Sequence, residues 1–240
     1  MIPTTAMVLA AGRGERLRPL TDRLPKPLVA VAGKALIDHA LDRLAAAGVA
    51  RAVVNVWHLG EMIERHLAPR TRPAITISRE RDLLDTGGGV ANALGDLGAD
   101  AFYVLNSDVL WRDAGEGALA RLAAAWDAAA MDALLLVVPV ARALGYEGRG
   151  DFHLDPGGGL RRRGSGARAP YVFTGVQMLR PGLFDGSPAG AFSLNLLYDR
   201  ALAAGRLAGL AHAGDWLHLG SRAGLAEAER RLTASARGGG

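Results

Sequence analysis

The segment Met7 to Leu20, MVLAAGRGERLRPL, passes from an apolar stretch into two glycines and three arginines. Gly12 and Gly14 carry no side chain, so backbone N–H groups there can approach phosphate oxygens, and Arg13 and Arg16 can add bidentate contacts. Two familiar phosphate loops do not fit. A dinucleotide fingerprint needs a third glycine where Leu17 stands, and a P-loop needs a Gly-Lys-Ser/Thr triplet that is absent. On its own the loop is equally an ordinary strand-to-helix turn in an arginine-rich chain. Residues 25–28, PKPL, set Lys26 between two prolines whose fixed φ holds the backbone on either side. Those four residues alone are most simply a proline-rich turn with a solvated lysine. A pinned point charge ten residues after Arg16 nevertheless suits a triphosphate.

Such groups need a sheet to position them. Short runs rich in Val, Ile and Leu alternate with helical patterns, which predicts an α/β fold with helices on both faces of a mixed, mainly parallel sheet. Strands are expected over 6–10, 52–56, 74–78, 101–106 and 133–138. Leu36, Ile37, Ala40, Leu41 and Leu44 recur at helical spacing, with Gly48 as the C-terminal cap. Further helices are expected over 61–67, 117–130, 194–204 and 222–232, and after a glycine turn at TGGGVANAL. Beyond residue 139, glycine clusters separate short strand-like pieces, predicting antiparallel strands or a lid. Arg161 to Arg163 read as a solvated hairpin tip, and the terminal ARGGG as disordered. YVLNSDVL reads as a buried strand ending in Asn106, Ser107 and Asp108. Carboxyl ends of parallel strands form the ligand crevice, so Asp108 is placed to hold Mg²⁺ on a triphosphate. Capping of a following helix is the alternative for Asp108. Asn106 is expected to orient the loop.

Composition narrows the classes. No apolar run approaches the roughly 20 residues that span a bilayer, and no basic region precedes the N-terminal apolar stretch, so neither membrane insertion nor export is expected. Cysteine is absent, which removes disulfides and thiolate chemistry and fits the cytoplasm. The pI near 9.9 rests on a net charge of only +4, with basic residues dispersed among acidic ones. A small anionic substrate explains that balance as well as nucleic acid does, and no basic face interleaved with aromatics is present.

The stretch LAAGRGERLRPLTDRLPKPLVAVAGKALIDHAL resembles the N-terminal signature of the sugar-phosphate nucleotidyltransferases, whose pattern GxGxRLxPLTxxxPKPL is matched from Gly12 to Leu28. The likeness continues through DTGGG at 85–89, NSDV at 106–109, GRGDF at 148–152, FTG at 173–175 and DWLHLGS at 215–221. TGGG, GRGDF and the short length most resemble the N-acetylmuramate 1-phosphate uridylyltransferases of peptidoglycan recycling; mannose-1-phosphate guanylyltransferases are the alternative. The resemblance implies a three-layer, Rossmann-like fold in a single domain. Residues 1–139 would form the nucleotide core, 140–192 a small β-rich sugar-facing region, 193–232 the closing helices and metal motif, and 233–240 a tail.

The implied substrates are a nucleoside triphosphate and a sugar 1-phosphate, with Mg²⁺ as cofactor, acting in a monomer or small homo-oligomer. Ala11, Gly12, Arg13 and Gly14, with Asp85, Gly87 and Gly88, would contact the nucleotide. Many relatives carry glutamate at the Asp85 position. Arg16 and Lys26 would act on the reacting phosphates. Asn106, Asp151 and Gly175 would face the sugar, although a β-turn alone explains the GRGDF glycines. Where many members have Trp-x-Asp-x-Gly-Thr, with the aspartate as second metal ligand, this chain has His218. An imidazole suits Mn²⁺ or Co²⁺ better than Mg²⁺; otherwise His218 holds a water or a phosphate oxygen, or is a core residue. Strand alternation turns Asp215 away from it. A catalytically silent nucleotide-sugar sensor would keep the same loops.

Overall fold

The computed structural model describes residues 2–237 of the chain. The first half alternates strand and helix: β1 (Thr5–Leu9), the short hairpin β2 (Ala30–Val31) and β3 (Lys34–Ala35), α1 (Leu36–Ala46), β4 (Arg51–Val56), α2 (Gly60–Leu67), β5 (Ala74–Arg79), α3 (Asp85–Leu97) and β6 (Phe102–Asn106). Then come β7 (Val109–Arg112), α4 (Ala118–Ala125), β8 (Ala133–Pro139), β9 (Ala143–Leu144), β10 (Phe152–Leu154) and β11 (Leu160–Arg162). The chain ends with β12 (Tyr171–Leu179), α5 (Leu194–Ala203), β13 (Leu207–Ala211), β14 (Asp215–His218) and α6 (Arg222–Arg237).

The main sheet runs β13-β8-β12-β6-β1-β4-β5, with the β10–β11 hairpin continuing from the start of β12. β6, β1, β4 and β5 are parallel, and β8 and β13 form a second parallel pair. β12 is antiparallel to both β6 and β8 and joins the two groups. Alternation along each strand sorts side chains onto two cores. Ala6, Val8, Val54, Tyr103 and Leu105 face α1, α2 and α4, whereas Met7, Val53, Phe102 and Val104 face α3 and α5. The result is three layers. A small sheet, β7-β14-β9, and α6 pack around a third cluster that includes Leu110, Leu217 and Ala228.

Several expectations change in detail. α4 stops at Ala125, where Trp126 turns extended and Asp127 Oδ1 accepts from the Ala129 N–H, so 126–130 form a turn. The glycines of TGGG lie inside α3 rather than in a turn before it. Arg161 and Arg162 lie on β11, and the hairpin tip is 155–159, closed by the Gly159 N–H donating to Asp155 Oδ1. Arg162 pairs with Asp199 at 2.9 Å and covers the Phe152 ring, and Arg163 donates to the Gly150 carbonyl. Helix α6 runs on to Arg237, so 233–237 are helical rather than disordered, and 238–240 lie outside the described residues.

Candidate active site

The carboxyl ends of β1, β4 and β6 open onto a cleft of about 620 Å³, lined by residues 9–17, Lys26, Asp85, 106–108 and Gly220 among others. Its floor begins where β1 stops. Gly14 adopts a left-handed φ of +64°, and a Cβ there would stand 2.9 Å from Thr21 Cγ2 and 3.0 Å from Lys26 Cβ. That close approach packs the glycine loop directly on the lysine of PKPL. Thr21 Oγ1 donates to the Gly14 carbonyl at 2.9 Å, and buried Leu17 anchors the next turn. Gly12 meets nothing within 4 Å of its ideal Cβ, so its open face belongs to the cleft.

Lys26 Nζ pairs with Asp108 Oδ2, with 12% and 26% of the two side chains exposed. Asp108 stands in the turn between β6 and β7, with no helix beginning beside it, which removes the capping alternative. Arg16 projects into solvent at the cleft and makes no ion pair among the described residues, whereas Arg18 pairs with Asp22 at 3.1 Å and Arg13 lies 4.9 Å over the Trp57 ring.

His218 ends β14 opposite Val109, the residue after Asp108, so the small sheet brings both to one end. Its Nδ1 lies 3.3 Å from the Gly145 carbonyl. A carbonyl can only accept, so Nδ1 is the donor there, and in the neutral imidazole the lone pair is on Nε2. Nε2 and Arg16 Nη1 lie 2.6 and 2.8 Å from one point, the ideal Cβ of Gly220. Imidazole and guanidinium therefore approach each other beside Gly220, which lines the cleft, and the missing side chain of Gly220 keeps the space between them open. The rings of Tyr146 and Trp216 hold the imidazole at centroid distances of 5.8 and 5.7 Å. The Trp216 contact confirms that Asp215, one residue out of phase, faces the other side.

Ala11, Gly12, Arg13, Gly14, Arg16, Lys26, Asp85, Asn106 and Asp108 line the cleft; Gly87, Gly88, Asp151, Gly175 and His218 do not. Gly87 and Gly88 make room for protein rather than for a base. Their N–H groups donate to the Phe192 carbonyl, and added Cβ atoms would meet the Phe192 ring at 2.4 Å and the Gly190 carbonyl at 2.3 Å. Gly175, at φ +81° in the bulge of β12, makes room for Asn106, whose Nδ2 lies 2.7 Å from the ideal Cβ. Asp151 Oδ2 accepts from the Phe173 N–H at 2.9 Å. Its carboxylate acts on Tyr146, whose phenol is held above its ordinary range by burial and then by the Asp151 charge. Asp85 has a left-handed φ of +58° and accepts from the Thr86 N–H at 2.5 Å.

Sequence reading missed Asn55, Glu80 and Trp57. The signal for Asn55 was a lone amide inside the apolar run AVVNV, where a buried polar group needs partners. A divalent cation fits the donors present only if substrate supplies most of its ligands. Among the described residues no cluster of three His, Cys, Asp or Glu is arranged to hold one, and Asp108 and Asp85 are the aspartates on the cleft wall. A Mg²⁺ held by one carboxylate, phosphate oxygens and water needs no more.

Loops at the carboxyl edge of a parallel sheet, with a lysine and a carboxylate paired among them, place this protein in the class of open-sheet α/β proteins that bind their ligands in that crevice. The chain belongs to the nucleotidyl transferase family, whose family model matches residues 5–148. It is 45% identical to an N-acetylmuramate alpha-1-phosphate uridylyltransferase of Caulobacter vibrioides, over 96% of this chain and 97% of that one. It is 38% identical to the enzyme of the same name from Neisseria meningitidis serogroup B, over 93% and 96% of the two chains. A UDP-glucose pyrophosphorylase complexed with UDP-glucose shares the fold at a TM-score of 0.79 and 17% identity, covering 98% of this chain and all of the other. The expected three-layer nucleotidyltransferase fold is thereby borne out.

Proposed function

We propose that the chain joins UTP to N-acetylmuramate 1-phosphate, releasing pyrophosphate and a UDP-sugar. The observation that carries this reading is the Lys26–Asp108 pair set against the glycine loop in one cleft; the two whole-length relatives support the choice of base and sugar. A phosphate oxygen of the sugar 1-phosphate attacks the α-phosphorus in line. The new P–O bond forms as the bond to the bridging oxygen of the β-phosphate breaks, and pyrophosphate leaves with the electron pair. No protein nucleophile is needed, so catalysis is positioning and charge stabilisation.

The free N–H groups around Gly12 and the guanidinium of Arg16 receive the β- and γ-phosphates. Lys26 turns from Asp108 towards the reacting phosphates and neutralises their charge. Asp108 would hold a divalent cation, Mg²⁺ or, with His218 Nε2 taking part, Mn²⁺ or Co²⁺, and that ion would draw charge from the phosphate oxygens. The segment 140–192 carries the sugar-facing surface, in one functional unit with the core. Among the described residues no helix is long and apolar enough to cross a membrane, which accords with work in the cytoplasm on recycled peptidoglycan sugars.

A pyrophosphate-release grid tests the reading, with UTP, GTP, CTP and dTTP against the 1-phosphates of N-acetylmuramate, mannose, glucose and N-acetylglucosamine. UTP with N-acetylmuramate 1-phosphate is expected to give the highest kcat/KM. Preference for GTP with mannose 1-phosphate would overturn the substrate pair, and UTP binding without turnover on any sugar phosphate would make the protein a sensor.

A further inference from the structure

A chain of three hydrogen bonds runs from Ala10 and Asn55, which line the cleft, to Glu80 and Leu84 behind it. The Ala10 N–H, just past β1, donates to Asn55 Oδ1 at 2.8 Å; Asn55 Nδ2 donates to Glu80 Oε1 at 2.6 Å; the Leu84 N–H donates to Glu80 Oε2 at 2.9 Å. Ala10, Asn55 and Glu80 are 2%, 3% and 8% exposed. The buried carboxylate is thus held by an amide and a backbone N–H, neither of them a cation, an arrangement that is costly to disturb. A Cβ on Gly89 would stand 2.7 Å from Asn55 Nδ2 and 2.9 Å from Glu80 Oε1, so α3 packs directly on this chain of bonds.

Its two ends are the two walls of the cleft. Ala10 opens the glycine loop, and Leu84 lies between Leu83 and Asp85, which line the cleft. We infer that Asn55 and Glu80 are positioning residues that set the separation of these walls and, through it, the affinity for the nucleotide. The inference rests on reading the cleft as a nucleotide site. Donor and acceptor chemistry makes it testable. Asn55→Asp sets two carboxylates face to face. Glu80→Gln turns a new N–H group towards either Asn55 Nδ2 or the Leu84 N–H. With both substitutions the middle bond reverses: the carboxylate at position 55 accepts from Ala10 and from the amide at position 80, whose oxygen accepts from Leu84. Three bonds and one negative charge are kept.

The experiment measures UTP affinity by calorimetry, kcat and KM for UTP, and amide exchange at Ala10 and Leu84 in the unliganded protein, for wild type, N55D, E80Q and N55D/E80Q. Each single variant is expected to lose exchange protection at a wall and to bind UTP about tenfold or more weakly, with kcat at saturating UTP largely kept. The double variant is expected to return within about threefold of wild type. Folded single variants that bind UTP like wild type, or a double variant as weak as the singles, would overturn the proposal. Should a single variant fail to fold, Glu80→Asp replaces it, keeping charge but shortening reach; weaker UTP binding is expected, and wild-type affinity overturns the proposal. If wild type itself does not bind UTP, the nucleotide reading fails instead, and the exchange data alone judge the hydrogen-bonded link: protection lost in the singles and regained in the double supports it, and unchanged protection overturns it.

Discussion

Lys26 and Asp108 are partly exposed and their pairing fixes no core element, so Lys26→Ala and Asp108→Ala are expected to unfold thermally within a few degrees of wild type. Pyrophosphate release should fall about 1,000-fold or more, since each removes charge placed where it develops in the reaction; steady-state release beside a melting curve checks both. The arginines of the loop separate in the same way. Arg18 is spent on Asp22 and Arg13 lies on Trp57, but Arg16 makes no ion pair among the described residues and lines the cleft beside Gly220. Arg16→Ala is therefore expected to cost about 100-fold in kcat/KM and Arg18→Ala less than about 5-fold. The loop and lysine are legible in the sequence only together, because each alone reads as an ordinary turn and the long spacing from Gly12 to Leu28 joins them. His218 was legible as a departure from a motif, but which nitrogen of its neutral ring bears the lone pair depends on the Gly145 carbonyl, which no local pattern reveals.

Glycines that look alike in sequence separate at the level of the elements. Gly12 has an open face, so Gly12→Ala is expected to keep stability within about 0.5 kcal/mol while lowering turnover. Gly87→Ala would drive a methyl into the Phe192 ring and carbonyl and is expected to cost about 2 kcal/mol or more in chemical denaturation. A glycine beside a helix start reads the same whether it clears space for a ligand or for a neighbouring segment, so nothing local distinguishes Gly87 and Gly88 from the nucleotide contacts that the resemblance implies. The parallel strands β1, β4, β6 and β8 are legible because their apolar runs are mostly buried, and edge strand β5 because AITIS alternates with β-branched residues. β13, LAGLA, was not, since alanine and glycine carry little strand preference. At its end His212 is 2% exposed, with Nε2 against the Arg112 carbonyl at 3.0 Å, and burial holds its imidazole below the ordinary histidine range. From about pH 7 to about pH 5 the unfolded chain takes up a proton that the folded one refuses, so stability should fall over that window. Melting curves should show a smaller fall in His212→Gln.

For the whole molecule, nucleotide and fold are linked through the walls of the cleft. UTP with Mg²⁺ at about 100 times Kd is expected to stabilise the protein by about 2.7 kcal/mol, read as a shift in the denaturant midpoint. The same concentrations should shift Lys26→Ala far less. β12 has a separate consequence. Because it runs against its neighbours, Tyr171 lies opposite Pro139, and the Val140 N–H closes onto the Pro170 carbonyl at 2.9 Å. Residues 140–170 thus begin and end at adjacent points of the main sheet, and between them β9 joins the small sheet while the β10–β11 hairpin extends the large one. Changes of length are therefore expected to be tolerated in the turns between these strands and not in the strands themselves, because β9 is paired to β14, which carries His218, and β10 to β12.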